Sequence, residues 1–317
     1  MGNILTVVLK ILPTVIIILI GVWMKRRKFV SRDTAAGLTK IVMNFTLPAL
    51  LFLSFFEAVI DPVTLSLVGV IFLVSLMTFA SGFLVQKHLK QSNRFLPALF
   101  AAWLTGPIAF PLFSTYFGLD NLYKLVMLDI GNSVFIFSVL IAYLTTVSDQ
   151  ENAAKHKSIP FLLKNLIRSP LLIAMALGLL FSMTGWGSVL KEIPLGASIL
   201  ETLSLISAAS FPLMLLIMGF ELPFDFRNYR RILPLVLLRV SLMLVLAYLL
   251  NTFVLVPLFG LDEIYQAALY TMLIMPPPFI IPLSIIGESR DKDDILDIIF
   301  LHVIVTLVVF VVLMAVL

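Results

Sequence analysis

Apolar runs of bilayer length recur along the whole chain. A helix crosses a membrane with about 20 mostly apolar residues, and 61% of the 317 residues are hydrophobic while only 13% are charged. Soluble domains carry about a quarter charged residues. The sequence therefore predicts an all-α integral membrane protein without a separate soluble domain.

Ten runs have the length and composition of membrane-spanning helices. We number them spans 1 to 10, near residues 4–24, 37–57, 64–86, 95–118, 122–147, 160–183, 198–221, 232–256, 265–287 and 295–316. The first run is too long and too interrupted by proline for a cleaved signal peptide. We therefore count it as a true span.

Lysine and arginine are concentrated in the loops that follow odd-numbered spans. These residues are Lys25, Arg26, Arg27, Lys28, Arg32, Lys87, Lys90, Arg94, Lys155, Lys157, Arg227, Arg230, Arg231, Arg290 and Lys292. Cytoplasmic loops carry such an excess, so the pattern predicts a multi-pass protein of the cell membrane with both termini outside. Because orientation accounts for the net charge of +4, no nucleic-acid partner is expected.

Residue types that support metal or thiol chemistry are scarce. The chain has no cysteine, no HExxH motif and three histidines, His88, His156 and His302. Thiolate ligands and cysteine nucleophiles are therefore excluded, and a histidine-based metal centre lacks enough ligands. We expect no intramembrane enzyme and no cofactor.

Prolines recur in the same order in the two halves of the chain. The matched pairs, each in corresponding spans, are Pro13 with Pro170, Pro48 with Pro212, and Pro107 with Pro278. A glycine follows eight residues after the first pair, at Gly21 and Gly178. Since five spans per half is an odd number, the second half enters from the opposite side. This predicts an inverted repeat, common in secondary transporters, with halves 1–148 and 159–317 joined by a cytoplasmic linker, 149–158.

Spans 4 and 9 contain prolines near their middles. Interior proline removes a backbone hydrogen bond and breaks a helix, so both spans are predicted to unwind and cross. Unwound backbone at this depth is tolerated where it is buried or lines a cavity, and half-helix N-termini favour anions. The alternative is that these prolines merely kink packed helices. The predicted substrate contacts are Thr105, Gly106, Pro107, Pro111, Asn132, Pro277, Pro278, Phe279, Pro282 and His302.

Few polar side chains lie inside the spans. Asp129 in span 5 is a candidate for binding a coupling cation or carrying a proton, together with Asn132 and His302, unless it lies nearer the outer surface. For Asn132 the alternative is an interhelical hydrogen bond, and for His302 a packing role. Four basic residues near span ends are expected to extend toward the interface: Lys10, Lys40, Lys164 and Arg239. Four polar residues before matched prolines are expected to bond freed carbonyls: Asn44, Thr46, Ser207 and Ser210.

Several stretches together resemble the auxin efflux carrier family. They are Pro13 to Gly21, the basic cluster 25–28, the stretch 38–52, the stretch 211–222, and the proline segments 106–112 and 278–283. The likeness covers nearly the whole chain. One departure is Thr105-Gly106, where the family often has an asparagine before the first crossover.

The resemblance implies a ten-helix transporter related to the bile acid sodium symporters. Spans 1, 2, 6 and 7 would form a scaffold, often dimeric, and the other six a mobile core with the crossover. It also implies small organic anions as cargo, such as indole acetate, malate or malonate, moved by an elevator-type mechanism. The alternative is a sodium- or proton-coupled symporter or antiporter with Asp129, Asn132 and His302 near the ion.

Overall fold

A computed structural model describes residues 4–56, 62–89, 93–148, 170–221, 229–285 and 290–316. Every regular element within these ranges is a helix. The first half contains α1 (Ile4–Arg26), α2 (Arg32–Ile41), α3 (Leu47–Phe56), α4 (Pro62–His88), α5 (Leu96–Ala101), α6 (Phe110–Phe117), α7 (Leu122–Phe135) and α8 (Ile141–Ser148). The predicted linker 149–158 lies outside the described residues.

The second half is also helical. It contains α9 (Pro170–Thr184), α10 (Trp186–Glu192), α11 (Pro194–Ala208), α12 (Ser210–Glu221), α13 (Tyr229–Leu250), α14 (Val256–Phe259), α15 (Glu263–Leu273), α16 (Ile280–Leu283) and α17 (Arg290–Val316). Wider π-type turns connect consecutive helices at Val42–Thr46, Ile136–Leu140 and Asn251–Leu255, and a fourth, Thr105–Ala109, precedes α6. Asp262 begins α15 by accepting a hydrogen bond from the Tyr265 amide at 2.9 Å, which satisfies a first-turn donor.

Seven helical stretches in the described part are long and apolar enough to cross a membrane. They are Val7–Arg26, Arg32–Phe56, Ser66–His88, Leu119–Leu144, Pro194–Glu221, Tyr229–Phe259 and Asp291–Val316. A shorter apolar helix, Ile173–Thr184, lies in predicted span 6. Spans 4 and 9 are absent from the seven because their helices are interrupted. The all-helical membrane class is confirmed, whereas the total of ten spans in two inverted repeats stays a prediction.

Two helix pairs approach closely through glycines that match in the two halves. A Cβ atom on Gly21 of α1 would lie 2.2 Å from the Leu216 carbonyl oxygen of α12. One on Gly178 of α9 would lie 2.5 Å from the Phe52 carbonyl oxygen of α3. Each glycine therefore lets the first helix of one half pack on the second helix of the other half.

The remaining helices pack around the interrupted ones. Helix α4 packs against α5 and α7, α15 packs against α7, and α13 packs against α17. Gly131 of α7 is tight against α4, where an added Cβ would meet the Val68 carbonyl oxygen at 2.4 Å. These contacts surround the two breaks with helices from both halves. A division into a fixed scaffold and a moving core is a prediction about motion and stays one.

Candidate functional site

Both proline-containing spans are interrupted, span 9 at Pro276 to Pro278 and span 4 just before the turn that contains Pro107. Helix α5 ends at Ala101, and Ala102 is extended with φ −153° and ψ 171°. Helix α15 ends at Leu273, and α16 begins only at Ile280. Because proline lacks an amide hydrogen and restricts the residue before it, three successive prolines at 276–278 cannot continue α15. We call the backbone 102–104 and 274–279 the first and second unwound segments.

The predicted crossing of the unwound segments is present as a direct contact. The Leu104 amide in the first segment donates to the Pro276 carbonyl oxygen in the second at 2.8 Å. This bond pairs two backbone groups that have lost their helical partners. We call the joined pair of segments the crossover.

Predicted contact residues lie at the start of the half-helices after each break. Thr105, Gly106 and Pro107 form the turn that precedes α6, and Pro111 lies in its first turn, where a missing amide costs least. Phe279 immediately precedes α16, which contains Pro282. Pro277 and Pro278 are buried in the second segment. A Cβ atom added to Gly106 would meet nothing within 4 Å, so open space adjoins this turn.

Asn132 binds the backbone of the first unwound segment. Its side-chain Nδ2 donates to the Trp103 carbonyl oxygen at 3.0 Å, and its Oδ1 accepts from the Trp103 amide at 3.2 Å. The amide side chain thus replaces the helical partners of one residue. The interhelical hydrogen bond considered from the sequence is present, and contact of Asn132 with a substrate stays a prediction.

Asp129 lies at the crossover, half-buried beside the first break. Its Oδ1 accepts hydrogen bonds from the Thr105 hydroxyl at 2.6 Å and from Asn132 Nδ2 at 2.8 Å. The carboxylate is therefore linked to both the unwound segment and the turn that follows it. These contacts place Asp129 away from the outer surface, which was the alternative considered.

Arg239 is buried, contrary to the prediction from the sequence. It was expected to extend toward the interface from a span end, but only 2% of the residue is exposed. Its Nη1 donates to the Met275 carbonyl oxygen at 2.7 Å and its Nη2 to the Ala102 carbonyl oxygen at 2.9 Å. The prediction was wrong because α13 begins earlier than expected, at Tyr229, which places Arg239 roughly 15 Å along the helix. An arginine this deep is itself a functional signal.

His302 and Thr306 complete the attachment of the second unwound segment. His302 Nε2 lies 2.7 Å from Arg239 Nη1, and His302 Nδ1 lies 3.1 Å from the Thr306 hydroxyl. Because guanidinium only donates, Nε2 accepts and Nδ1 carries the hydrogen. The Thr306 hydroxyl then donates to the Ile274 carbonyl oxygen at 2.7 Å. Both ring nitrogens of His302 are used inside the protein, which is the packing role considered from the sequence.

Comparison with known proteins agrees with this architecture. A family model described as "Membrane transport protein" matches residues 6–316. The chain belongs to this auxin efflux carrier family. It is also 24% identical over 224 residues to an uncharacterized transporter of Methanothermobacter thermautotrophicus, covering 69% of each chain. A second uncharacterized transporter, from Methanocaldococcus jannaschii, is 27% identical over 219 residues, covering 67% of this chain and 68% of its own.

Most of the carrier's unpaired buried polar atoms are hydrogen-bond donors. Within the described residues, five buried side-chain atoms have no partner: Thr46 Oγ1, Trp103 Nε1, Ser210 Oγ, Arg239 Nε and Asn251 Oδ1. All but the last can donate. Native proteins leave few such groups unpaired, and each calls for an explanation. Trp103 belongs to the crossover and Arg239 binds both of its segments, while Ser210 begins α12, which packs on the turn Thr105–Ala109.

The two unpaired hydroxyls occupy matched positions in the carrier's halves. Thr46 and Ser210 each lie two residues before a matched proline, and the turn that ends at Thr46 packs against α12. They were expected to bond carbonyls freed by proline, and for these two the expectation was wrong. Their neighbours do not take that role either. Asn44 Nδ2 donates to the Lys40 carbonyl oxygen and Ser207 Oγ to the Ser204 carbonyl oxygen, each at 2.8 Å, whereas the α-helical acceptors that Pro48 and Pro212 leave free belong to Asn44 and Ala208.

Proposed function

We propose that this carrier moves small organic anions across the membrane by secondary or facilitated transport, with the substrate bound at the crossover. Its membership in a transport family supplies the general function. One observation carries the finer proposal: two unwound segments touch each other, and buried donors without partners lie on Trp103 in the first segment and on Arg239, which binds both. Broken helices of transporters bind their substrates at such breaks.

The chemistry of the unpaired atoms favours an anionic cargo. Buried donors cost free energy unless an acceptor reaches them, and a carboxylate offers acceptors only. Thr46 and Ser210 belong to spans 2 and 7, whereas Trp103 and Arg239 belong to spans 4 and 8. A carboxylate between these groups would receive donors from both sets of helices. Mono- and dicarboxylates of the size of indole acetate, malate or malonate fit this requirement.

The electrostatic balance of the crossover supports the same proposal. Arg239 is fully buried, and its three hydrogen-bond partners are two carbonyl oxygens and an imidazole nitrogen. Its positive charge is therefore not neutralised by any of the partners it binds. Asp129 already has two donors, since Thr105 and Asn132 both bind one of its carboxylate oxygens. An anion gains most near the arginine.

A second candidate is cation coupling through Asp129, favoured by its bond from Thr105. Because Thr105 begins the turn before α6, a change in the charge of Asp129 would act on the backbone next to the open space at Gly106. Either a proton or sodium could supply that change. Replacing Asp129 with Asn removes the charge but keeps the shape. Flux through this variant that no longer depends on pH or sodium supports coupling, and unchanged dependence rejects it.

Other features of the proposal concern the assembly. Elevator-type movement of spans 3–5 and 8–10 against spans 1, 2, 6 and 7 would expose the crossover to each side in turn. We propose a homodimer through the scaffold spans, in the cell membrane and with both termini outside. These features extend the packing of α1 on α12 and of α9 on α3.

The direct test is uptake of labelled carboxylates by proteoliposomes. The panel contains indole acetate, malate, malonate, succinate and taurocholate, each at two pH values and with sodium or choline. We expect uptake of at least one carboxylate, reduced about tenfold or more in Ser210→Ala and Thr46→Val because each removes a donor worth roughly 1–2 kcal/mol. Matched controls are the exposed Ser204→Ala and Thr202→Val. Folded protein that transports none of the panel refutes the proposal.

A further inference from the structure

The Arg239 guanidinium lies where two half-helices end. Helix α5 ends at Ala101 and helix α15 at Leu273. Arg239 binds the carbonyl of the residue that follows the first, Ala102, at 2.9 Å, and that of Met275 just beyond the second at 2.7 Å. One side chain from a third helix, α13, therefore joins the C-terminal ends of the two half-helices α5 and α15.

The ends of helices are places where cations bind. The last carbonyl groups of a helix lack amide partners and carry partial negative charge. Transporters with broken helices use unwound carbonyls and half-helix C-termini to bind their coupling cation. The crossover has this set of ligands, with two carbonyl oxygens and the accepting Nε2 of His302 gathered on one group. The group that they surround is a guanidinium.

We infer that Arg239 is a tethered cation that fills the cation site of the crossover, so that this carrier needs no free ion there. Removing the guanidinium empties a site built from acceptors, and a small cation from solution then takes its place. The inference rests on the proposed function for its transport consequence. Its consequence for cation binding can be tested without any substrate.

The geometry favours arginine over other basic residues in this role. Guanidinium presents five donors in a planar fork, whereas an ammonium is a compact point charge. Two different nitrogens of Arg239 reach the two carbonyls, which belong to separate segments of the chain. Lysine at this position would keep the charge but would not span both carbonyls in the same way. Mutation can therefore separate the effect of the positive charge from the effect of binding both carbonyls.

The first arm of the test measures binding without any substrate. Purified Arg239→Ala is titrated with millimolar methylguanidinium, sodium or choline while its denaturation temperature is recorded. We expect methylguanidinium to raise the denaturation temperature by about 2–4 °C or more, while choline, which is too large for the site, has no effect. Arg231 is an exposed arginine on the same helix. In the wild type and in Arg231→Ala, methylguanidinium should raise the denaturation temperature no more than choline does.

A second variant keeps the test decisive if the alanine protein does not fold. Arg239→Gln retains a planar amide that can donate to one carbonyl, but it lacks the charge. We expect the same selective response to methylguanidinium, and Arg239→Lys should need no added cation. If neither Arg239→Ala nor Arg239→Gln responds to methylguanidinium or sodium above choline, the inference is wrong.

The second arm measures transport in the same proteins. Uptake of the best carboxylate by Arg239→Gln should fall at least tenfold in choline and recover at least threefold in methylguanidinium or sodium. Recovery of stability without uptake in any protein, the wild type included, supports the inference and refutes the proposed function. Uptake by the variant that equals the wild type in choline overturns the inference and removes Arg239 from the proposed substrate site, while the proposed transport of carboxylates stands.

Discussion

The two unwound segments have matched positions in the sequence but are held by different side chains. Apart from Arg239, which donates to a carbonyl oxygen in each segment, the first is bound by the neutral Asn132, which pairs with both the amide and the carbonyl of Trp103. The second is bound by Thr306 and the cationic Arg239, which both donate to carbonyl oxygens. Equivalent breaks in a backbone therefore do not call for equivalent side chains.

The composition of each segment explains the difference. Trp103 has both an amide donor and a carbonyl acceptor to satisfy, which suits an amide side chain that offers both. In the second segment Pro276, Pro277 and Pro278 have no amide hydrogen, so carbonyls outnumber amides. A side chain rich in donors fits that imbalance, and arginine has the most. The prolines that break span 9 thus create the need for Arg239.

Replacing Arg239 should have the largest effect, because it serves both segments. Arg239→Met leaves two buried carbonyl oxygens without a donor, and each unsatisfied buried group costs about 1–3 kcal/mol. We expect the largest fall in denaturation temperature of the variants considered. The matched control is Arg231→Met, whose side chain is exposed. Equal denaturation temperatures for the two variants would contradict the role assigned to Arg239.

Removing Asn132 should destabilise the first segment alone. Asn132→Leu keeps the volume but loses both bonds to Trp103 and one to Asp129, for a loss of about 2–4 kcal/mol. Combined with Thr306→Val, the losses should add, since the two residues bind separate segments. Thermal denaturation of the two single variants and the double variant measures this. Strong non-additivity would mean that the segments unwind as one unit.

Thr306→Val should have a smaller effect. It is nearly isosteric but removes the hydrogen bond to the Ile274 carbonyl oxygen and the acceptor of the His302 Nδ1 hydrogen, so we expect a loss of about 1–3 kcal/mol. His302 would keep its bond to Arg239. The control is Thr184→Val, whose hydroxyl is exposed and bonds only within its own helix, to Leu180 and Phe181. A loss in Thr306→Val no greater than in this control would show that Arg239 alone holds the second segment.

The smallest effect is expected at the ion pair that links the two halves away from the crossover. Asp262 pairs with the buried Lys124 of α7. Burial raises the pKa of Asp262, but hydrogen bonds from Lys124 and from the Tyr265 and Ile264 amides, with the lysine charge, lower that pKa on balance. Because the pKa of Asp262 is lower in the folded protein than in the unfolded chain, where it is about 3.9, its charge stabilises the fold at pH values above about 3.9. This stability is lost as the pH falls through the pKa of the folded protein.

The test at this pair is the pH dependence of stability. Asp262→Asn should be less stable than the wild type at pH 7, and the difference should shrink as the pH falls below about 4. Because Asp262 is partly exposed, solvent screening keeps the difference at pH 7 to about 1 kcal/mol. A difference that is constant between pH 7 and pH 3 would mean that the charge of Asp262 does not stabilise the fold.

The sequence predicted the breaks better than the groups that hold them. Proline acts on its own backbone, so Pro276 to Pro278 locate the second unwound segment without knowledge of the fold, and Pro107 locates the first to within a few residues. Apolar length likewise identified the membrane class. The partner of a freed carbonyl is set by packing between distant helices, which is why Arg239 was assigned to an interface. Thr46 and Ser210 were misassigned for the same reason, because packing between helices also decides which buried hydroxyls find a partner.

If the substrate binds in the open space beside the crossover, a side chain that fills this space should block transport. A Cβ atom meets nothing within 4 Å at either Gly106 or Gly37, but Gly37 lies on α2 rather than at the crossover. We would measure carboxylate uptake by Gly106→Leu and Gly37→Leu in proteoliposomes, with denaturation temperatures alongside. We predict that uptake is lost only in Gly106→Leu and that both proteins fold. Wild-type uptake by a folded Gly106→Leu would contradict it.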